Sequence, residues 1–220
     1  MPSQFLSGVK NIIIDMGGVI LDIDYTLTAK AFEKMGVPDF EKLFTQANQS
    51  VFIEEFERGN LSPEEFRKQV CKLTSKSFDE KEIDTAWNAL ILEPKISRIA
   101  SLKALSACCD LYLLSNNNAI HYKQCIATIN SMLNFEEFSS LFKKSYYSHL
   151  INQRKPDAAS FEYVLQENNL NNEETVFWDD SVQHLAAAAA LGLRTQRIDS
   201  QITIDYICQA EGLLTGNIIL

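Results

Sequence analysis

Positive charge, long apolar runs and paired cysteine motifs are all scarce in this sequence. Acidic residues outnumber lysine and arginine by 29 to 20, and the net charge of −9 argues against nucleic acid or an anionic membrane as a partner. No apolar run approaches the roughly 20 residues of a membrane-spanning helix, and the first residues lack the apolar region of a signal peptide. The 5 cysteines are an odd number without metal-like spacing, so we expect reduced thiols in a cytoplasmic protein.

The composition that remains is that of an ordinary globular protein. With 220 residues, of which 46% are hydrophobic, the chain can bury one good core and carry a small accessory domain. Short apolar runs alternate with amphipathic segments, a pattern typical of a parallel sheet covered by helices. The predicted strands are Asn11–Asp15, Leu111–Ser115, a short strand near Ser145–Ser148, Thr175–Asp179 and Arg194–Ile198.

The stretch from about Asp24 to Pro94 contains no convincing strand. Its predicted helices are Thr26–Met35, Asp39–Ala47, Val51–Arg58, Pro63–Lys76 and Asp79–Leu92. Ser62 and Glu65 are spaced to form a capping box at the start of one of them. Because about 70 helical residues are too many for a simple crossover, we expect an inserted domain. The predicted fold is a doubly wound α/β core of residues 1–23 and 95–220 with a helical cap of residues 24–94.

Three predicted strands end in a polar residue, where ligands of open α/β sheets bind. Asp15 ends the first strand and is followed by Gly17 and Gly18, which allow a sharp turn and a close approach to a ligand. Asp179 and Asp180 form a carboxylate pair at the end of a neighbouring strand. Together with a backbone carbonyl, these oxygens suit Mg²⁺.

Ser115, Asn116 and Lys155 supply the other groups that phosphoryl transfer to an aspartate requires. Ser115 and Asn116 offer donors to a phosphoryl oxygen, and Lys155 offers positive charge. Each feature alone is more typical of a turn or a helix cap. Four of them in this order, three at strand ends, favour a phosphate site instead.

The same four segments resemble the motifs of the haloacid dehalogenase-like (HAD) hydrolase superfamily. The segment "IIIDMGGVILDID" resembles motif one, "YLLSNNN" motif two, "NQRKPD" motif three and "VFWDDS" motif four, and the inserted helices resemble the family's cap. The start of motif one and "FERGNLSPEEF" in the cap are similar to bacterial sugar-phosphate phosphatases, notably the α-D-glucose-1-phosphate type.

This resemblance implies a Rossmann-like fold and an Mg²⁺-dependent phosphatase that acts on a small phosphorylated metabolite through an aspartyl-phosphate. The implied catalytic residues are Asp15, Ser115 and Lys155. The implied metal ligands are Asp15, the Gly17 carbonyl, Asp179 and Asp180. The implied substrate-binding residues are Asn116, Gly17, Gly18 and, in the cap, Glu57. The oligomeric state stays open.

Asp22 is a rival for the role of nucleophile, because it begins a second Asp-x-Asp pattern with Asp24. That register would bury Asp15 within one long strand that has glycines in its middle, which is unfavourable. Asp15 is therefore preferred, and His184, in the motif-four helix, is interpreted as a packing residue.

The Asp15 register leaves Gly17 where most phosphatases of the superfamily have an acid. Three interpretations stay open: a substrate with a good leaving group, such as a sugar 1-phosphate; a proton from Asp22, Asp24 or Glu57; or phosphate binding without turnover. A 2-haloacid dehalogenase needs neither the acid nor a metal, and Asp179 and Asp180 argue against it.

Overall fold

A parallel sheet of five strands forms the centre of the molecule. The computed structural model describes residues 4–37, 40 and 51–214. Its strands are β1 (Asn11–Ile14), β2 (Asp110–Ser115), β3 (Lys144–Tyr147), β4 (Thr175–Asp179) and β5 (Arg194–Arg197). They pair in the order β3-β2-β1-β4-β5. All five predicted strands are confirmed, with ends that differ by no more than one residue.

The described helices lie around this sheet and in the segment between β1 and β2. They are α1 (Tyr25–Lys34), α2 (Val51–Glu57), α3 (Pro63–Thr74), α4 (Glu80–Asn88), α5 (Ile96–Ser106), α6 (Ala119–Asn130), α7 (Phe135–Ser140), α8 (Ser148–Ile151), α9 (Ala158–Glu167), α10 (Val182–Ala190) and α11 (Ile204–Ala210). Within these ranges, no helix has the length and apolar character needed to cross a membrane.

The central strand β1 is covered on both faces, which explains its run of isoleucines. Ile12 and Ile14 pack into a cluster with α5, α6, α7 and α11, whereas Ile13 packs into a separate cluster with α9 and α10. All three side chains are fully buried. The predicted doubly wound α/β architecture is therefore confirmed.

The helices between β1 and β2 have a hydrophobic cluster of their own. Phe32, Phe56, Phe66 and Trp87 are buried in it, and Ile120 of α6 joins it from the sheet side. The predicted capping box is confirmed at the start of α3, where the Ser62 hydroxyl accepts from the Glu65 amide at 3.2 Å. The helix predicted over Asp39–Ala47 lies outside the described residues except for Phe40.

The chain enters and leaves this helical segment through two adjacent linkers. Ile23 and Ile91 form an antiparallel bridge. On either side of it, the Asp24 amide donates to the Leu90 carbonyl and the Leu92 amide to the Asp22 carbonyl, each at 3.0 Å. The helix predicted to reach Leu92 therefore ends earlier, at Asn88, because the next residues turn into this extended pairing.

His121 connects the helical segment to the sheet domain. Its Nε2 lies 3.0 Å from the Trp87 carbonyl oxygen, and its Nδ1 lies 2.9 Å from Nδ2 of the Asn118 side chain. Since a carbonyl only accepts, Nε2 carries the proton and Nδ1 accepts from Asn118. The imidazole also stacks on the Trp87 ring at a centroid distance of 4.8 Å. Burial lowers the pKa of His121 to about 4, so the ring is neutral.

Candidate active site

The three polar strand ends come together because β2, β1 and β4 are neighbours in the sheet. Ser115 ends β2, Asp15 directly follows β1, and Asp179 ends β4. The Asp15 amide donates to the Trp178 carbonyl at 2.9 Å, which continues the β1–β4 pairing to the nucleophile position. The predicted site residues therefore share one carboxyl edge of the parallel sheet.

Lys155 lies between the two carboxylates of this edge. Its Nζ is 2.7 Å from Asp15 Oδ1 and 2.7 Å from Asp179 Oδ2. Lys155 and Asp179 are fully buried, and Asp15 is nearly so. A lysine in this position offers charge-assisted hydrogen bonds to any anion that comes to Asp15.

Burial and charge act against each other in this cluster. Burial raises the pKa of Asp15 to about 8, although Lys155 lowers it, and the nearby Asp179 and Asp180 raise it further. Burial alone would also raise the pKa of Asp179, but Lys155 and His184 hold it at about 2. For Lys155, the two acids outweigh burial and raise its pKa. The cluster thus contains more negative than positive charge.

A divalent cation fits this donor set. Oxygen atoms of Asp15, Asp179 and Asp180 all lie within 4.8 Å of one another. Carboxylate oxygens are the ligands that Mg²⁺ prefers, and a cation would relieve the excess negative charge. Gly18 has a φ of +74°, and a Cβ on it would collide with the Asp180 carboxylate. Gly18 therefore serves this edge by leaving room for Asp180.

The turn after Asp15 is closed by backbone hydrogen bonds. The Met16 carbonyl accepts from the Ile20 and Leu21 amides at 2.8 and 2.9 Å, and the Gly18 amide donates to the Leu21 carbonyl at 2.7 Å. This turn contains the Gly17–Gly18 pair, as the sequence predicts. Gly17 carries no side chain toward the site, so the position of the usual acid is filled only by backbone.

The Asn116 side chain fixes the loop that carries Lys155. Its Oδ1 accepts from the Lys155 amide and its Nδ2 donates to the Lys155 carbonyl, both at 2.8 Å. Asparagine suits this role because one side chain offers both a donor and an acceptor. Ser115 is buried and lines a small cavity together with Gly17 and Asn116.

A cleft opens above Asp15 toward the helical segment. It is lined by Asp15, Gly17, Ile23, Tyr25, Glu57, Asn116, Arg154, Asp180 and His184. Glu57, at the end of α2, therefore reaches the predicted site. Arg154 binds it through Nε at 3.0 Å and through a terminal nitrogen at 2.8 Å, and both side chains are buried.

Three polar residues of this cleft have no site role in the sequence-based prediction: Tyr25, Arg154 and His184. The interpretation of His184 as a packing residue needs correction, because its Nδ1 lies 3.0 Å from Asp179 Oδ2. Its spacing of five residues from Asp179, across a helix start, was a signal for this contact. Burial lowers the pKa of His184, against the effect of Asp179. Tyr25 and Arg154 have no comparable signal.

The two other acids of the first motif are engaged away from the nucleophile. Asp22 pairs with Arg98 at 2.6 Å, and Asp24 caps α1 by accepting from the Thr26 amide at 2.9 Å. Neither lines the cleft around Asp15. Asp22 and Asp24 are therefore parts of the linker into the helices.

The chain is similar to known proteins over most of its length. The family model for haloacid dehalogenase-like hydrolases matches residues 9–192. A D-ribitol-5-phosphate phosphatase of Bacteroides thetaiotaomicron is 30% identical over 194 residues, which cover 85% of this chain and 90% of the relative. A sesquiterpene phosphatase of Aspergillus oryzae is 26% identical over 185 residues, covering 84% and 87%.

A solved structure is similar as well. It is a mutant HAD family enzyme from Bacteroides thetaiotaomicron in complex with magnesium and inorganic phosphate. It matches with a TM-score of 0.81 and 28% identity, covering 87% of this chain and 95% of that one. These similarities confirm the predicted family resemblance, the α/β fold class and the enzyme class, a phosphomonoesterase.

Proposed function

Because this chain belongs to the haloacid dehalogenase-like hydrolases, we propose that it hydrolyses the phosphate ester of a small sugar-like metabolite with the help of Mg²⁺. The observation that carries the proposal is Lys155, which lies 2.7 Å from both Asp15 and Asp179 at the carboxyl edge of the sheet. Such a cluster joins a nucleophile, a cation for the phosphoryl group and metal-binding oxygens.

The roles follow from this geometry. The Asp15 carboxylate attacks phosphorus as the ester P–O bond breaks, which gives an aspartyl-phosphate and an alcohol that leaves with a proton from an acid or water; water then hydrolyses the aspartyl-phosphate to inorganic phosphate and restores Asp15. Lys155 offsets the negative charge of the phosphoryl group, and the Ser115 hydroxyl and the Asn116 backbone bind its oxygens. Because Asn116 also holds the Lys155 backbone at 2.8 Å, the two phosphate-binding segments keep a constant spacing.

Mg²⁺ is the cofactor that the donor set supports. Asp15, Asp179, Asp180 and the Gly17 carbonyl would hold the ion, which supplies positive charge next to the phosphoryl oxygens. The magnesium in the similar Bacteroides structure supports this assignment. The carboxylates make a dehalogenase the weaker candidate, since halide displacement at carbon needs no metal.

The cap proposed for residues 24–94 closes over this site, with residues 1–23 and 95–220 as the core. The separate cluster around Phe66 and Trp87 and the adjacent linkers at Ile23 and Ile91 support this division. Of the three acids considered as proton donors, Glu57 is the one that lines the cleft. The similarity to a D-ribitol-5-phosphate phosphatase supports a sugar or polyol phosphate as the substrate class.

A panel of phosphorylated metabolites tests the proposal. The purified protein is assayed for phosphate release with Mg²⁺ and after chelation by EDTA, beside an Asp15→Asn variant. We expect release from at least one sugar or polyol phosphate, loss on chelation with recovery on adding Mg²⁺, and a fall of at least about 10³-fold in the variant. If the native protein binds these esters without hydrolysing any, it is a phosphate-binding protein instead.

A further inference from the structure

Glu57 and Arg154 form a buried ion pair across the cleft, directly above the nucleophile. Glu57 Oε2 lies 2.8 Å from a terminal nitrogen and 3.0 Å from Nε of Arg154, and each residue is less than a tenth exposed. Arg154 precedes Lys155 in the chain, so the pair lies next to the phosphoryl-binding lysine. Both residues line the same cleft as Asp15, so a group esterified to a phosphate bound there would share the cleft with this pair.

The position of Glu57 is unfavourable for α2 itself. It is the last residue of the helix, where the helix dipole disfavours negative charge. Burying a carboxylate there is also costly unless it is paired. Neither local helix stability nor packing explains an acid at this position, whereas a role at the cleft does.

The charge of Arg154 is matched before any substrate arrives. Glu57 contacts it directly, and Glu54 adds a second carboxylate at 3.8 Å. Asp15 and Asp180 line the same cleft. An arginine balanced in this way still offers hydrogen bonds, but it gives little net attraction to an anion. The side of the cleft formed by Glu57 and Arg154, here called the cap wall, therefore presents hydrogen-bond donors and acceptors without excess positive charge.

Resting on the proposed phosphatase function, we infer that Glu57 and Arg154 form a subsite for a neutral polyhydroxylated leaving group and select against esters with a carboxylate or a second phosphate. Hydroxyl groups can both donate to Glu57 and accept from Arg154, and Tyr25 lines the same cleft. Burial and the nearby Glu57 raise the pKa of Tyr25, so its phenol remains a neutral donor.

Two esters that differ in one group test the subsite. Glycerol 3-phosphate and 3-phosphoglycerate have the same phosphorylated carbon, but one ends in a hydroxymethyl group and the other in a carboxylate. We expect the native enzyme to have the higher kcat/KM for glycerol 3-phosphate. Glu57→Gln removes the carboxylate in direct contact with Arg154, so the ratio of the two kcat/KM values should shift about tenfold toward 3-phosphoglycerate.

Arg154→Gln provides the opposite change, because it removes the positive charge that contacts Glu57. The ratio of the kcat/KM values for the two esters should then shift further toward glycerol 3-phosphate. Arg58→Gln is the matched control. Arg58 directly follows Glu57 in the chain and forms an ion pair with Asp157 at 2.6 Å, but it does not line the cleft. Its ratio should equal that of the native enzyme. Circular dichroism melts identify any variant whose fold is damaged.

The outcomes separate the subsite from the phosphatase. Opposite shifts of the ratio in Glu57→Gln and Arg154→Gln support the inference. Equal losses for both esters, or an unchanged ratio, overturn the subsite, whether the pair is structural or Glu57 donates a proton, and leave the proposed phosphatase function intact. If the native enzyme releases phosphate neither from these esters nor from the wider panel, the proposed function itself is refuted.

Discussion

The sheet edge and the cap wall of the cleft both contain a buried cation held by acids, but they are built differently. At the sheet edge, Asp15 and Asp179 follow adjacent parallel strands, so the strand order alone brings them together. At the cap wall, Glu57 and Arg154 are 97 residues apart on segments that no strand pairing connects. The first arrangement is a consequence of the fold, and the second depends on how the inserted helices pack.

This difference separates the residues proposed for phosphoryl transfer from those proposed for substrate choice. The sheet edge has Lys155 in contact with two acids and held by Asn116, so few changes there preserve the fold and the charge balance. The cap wall can change one residue at a time without disturbing the strands. Under the proposed function, substitutions at Glu57 or Arg154 would change substrate choice while Asp15, Lys155 and Asp179 stay constant.

The largest loss of stability is expected at the sheet edge. Replacing Lys155 by methionine leaves Asp15 and Asp179 buried without their cation. In metal-free buffer the free energy of unfolding should fall by about 3 to 5 kcal/mol, measured by urea denaturation. Lys144→Met removes a partly exposed pair with Glu167 and a cation–π contact with Tyr146, and it should cost less than about 1 kcal/mol. Equal losses in both variants would contradict the buried cluster.

An intermediate effect is expected where His121 joins the cap to the core. Its folded pKa, about 4, lies below the ordinary value of 6.5, so the unfolded chain binds more protons between these two pH values. The stability that the neutral ring contributes is present above pH 6.5 and decreases as the pH falls toward 4, by about 3 kcal/mol.

His121→Gln tests this pH dependence, because glutamine retains a donor and an acceptor but does not titrate. Urea denaturation at several pH values should give a steeper loss of stability in the native protein than in the variant between pH 6.5 and 4. All other titratable groups are the same in both proteins, so the comparison removes their effect. Parallel curves for the two proteins would contradict a neutral buried His121.

The smallest effect is expected within the cap and away from the cleft. Ser62→Ala removes the hydroxyl that accepts from the Glu65 amide at the start of α3. The free energy of unfolding should fall by about 1 kcal/mol, while kcat/KM for phosphate esters stays unchanged. A change in kcat/KM would mean that the stability of α3 affects the cleft. The cap wall would then depend on the start of α3 more than its contacts indicate.

The parts of this protein that sequence can predict are those with short-range causes. The five strands, the turn at Gly17 and Gly18 and the capping box at Ser62 follow from periodicity, backbone freedom and local hydrogen bonds. The residues at the strand ends follow from the geometry of parallel sheets. The end of α4 was predicted too late because its helical pattern continues past the point where Ile91 pairs with Ile23.

Tyr25 and Arg154 illustrate what periodicity does not contain. Tyr25 is the first residue of α1 and Arg154 lies in the loop before Lys155, so neither position indicates what the side chain faces. Only the packing of α2 on that loop brings Glu57 to Arg154. His184 is intermediate, because its distance along the chain from Asp179 contained a usable signal.

The adjacent linkers at Ile23 and Ile91 also explain how such a sheet tolerates a large insertion. The chain leaves the sheet domain and returns to it at hydrogen-bonded neighbours. The helical segment is therefore one closed loop between β1 and β2. Closing a longer loop costs little more entropy than closing a shorter one. The junction itself therefore sets little limit on the length of the segment beyond it, and the segment is held to the sheet domain by further contacts such as that of His121 with the Trp87 carbonyl.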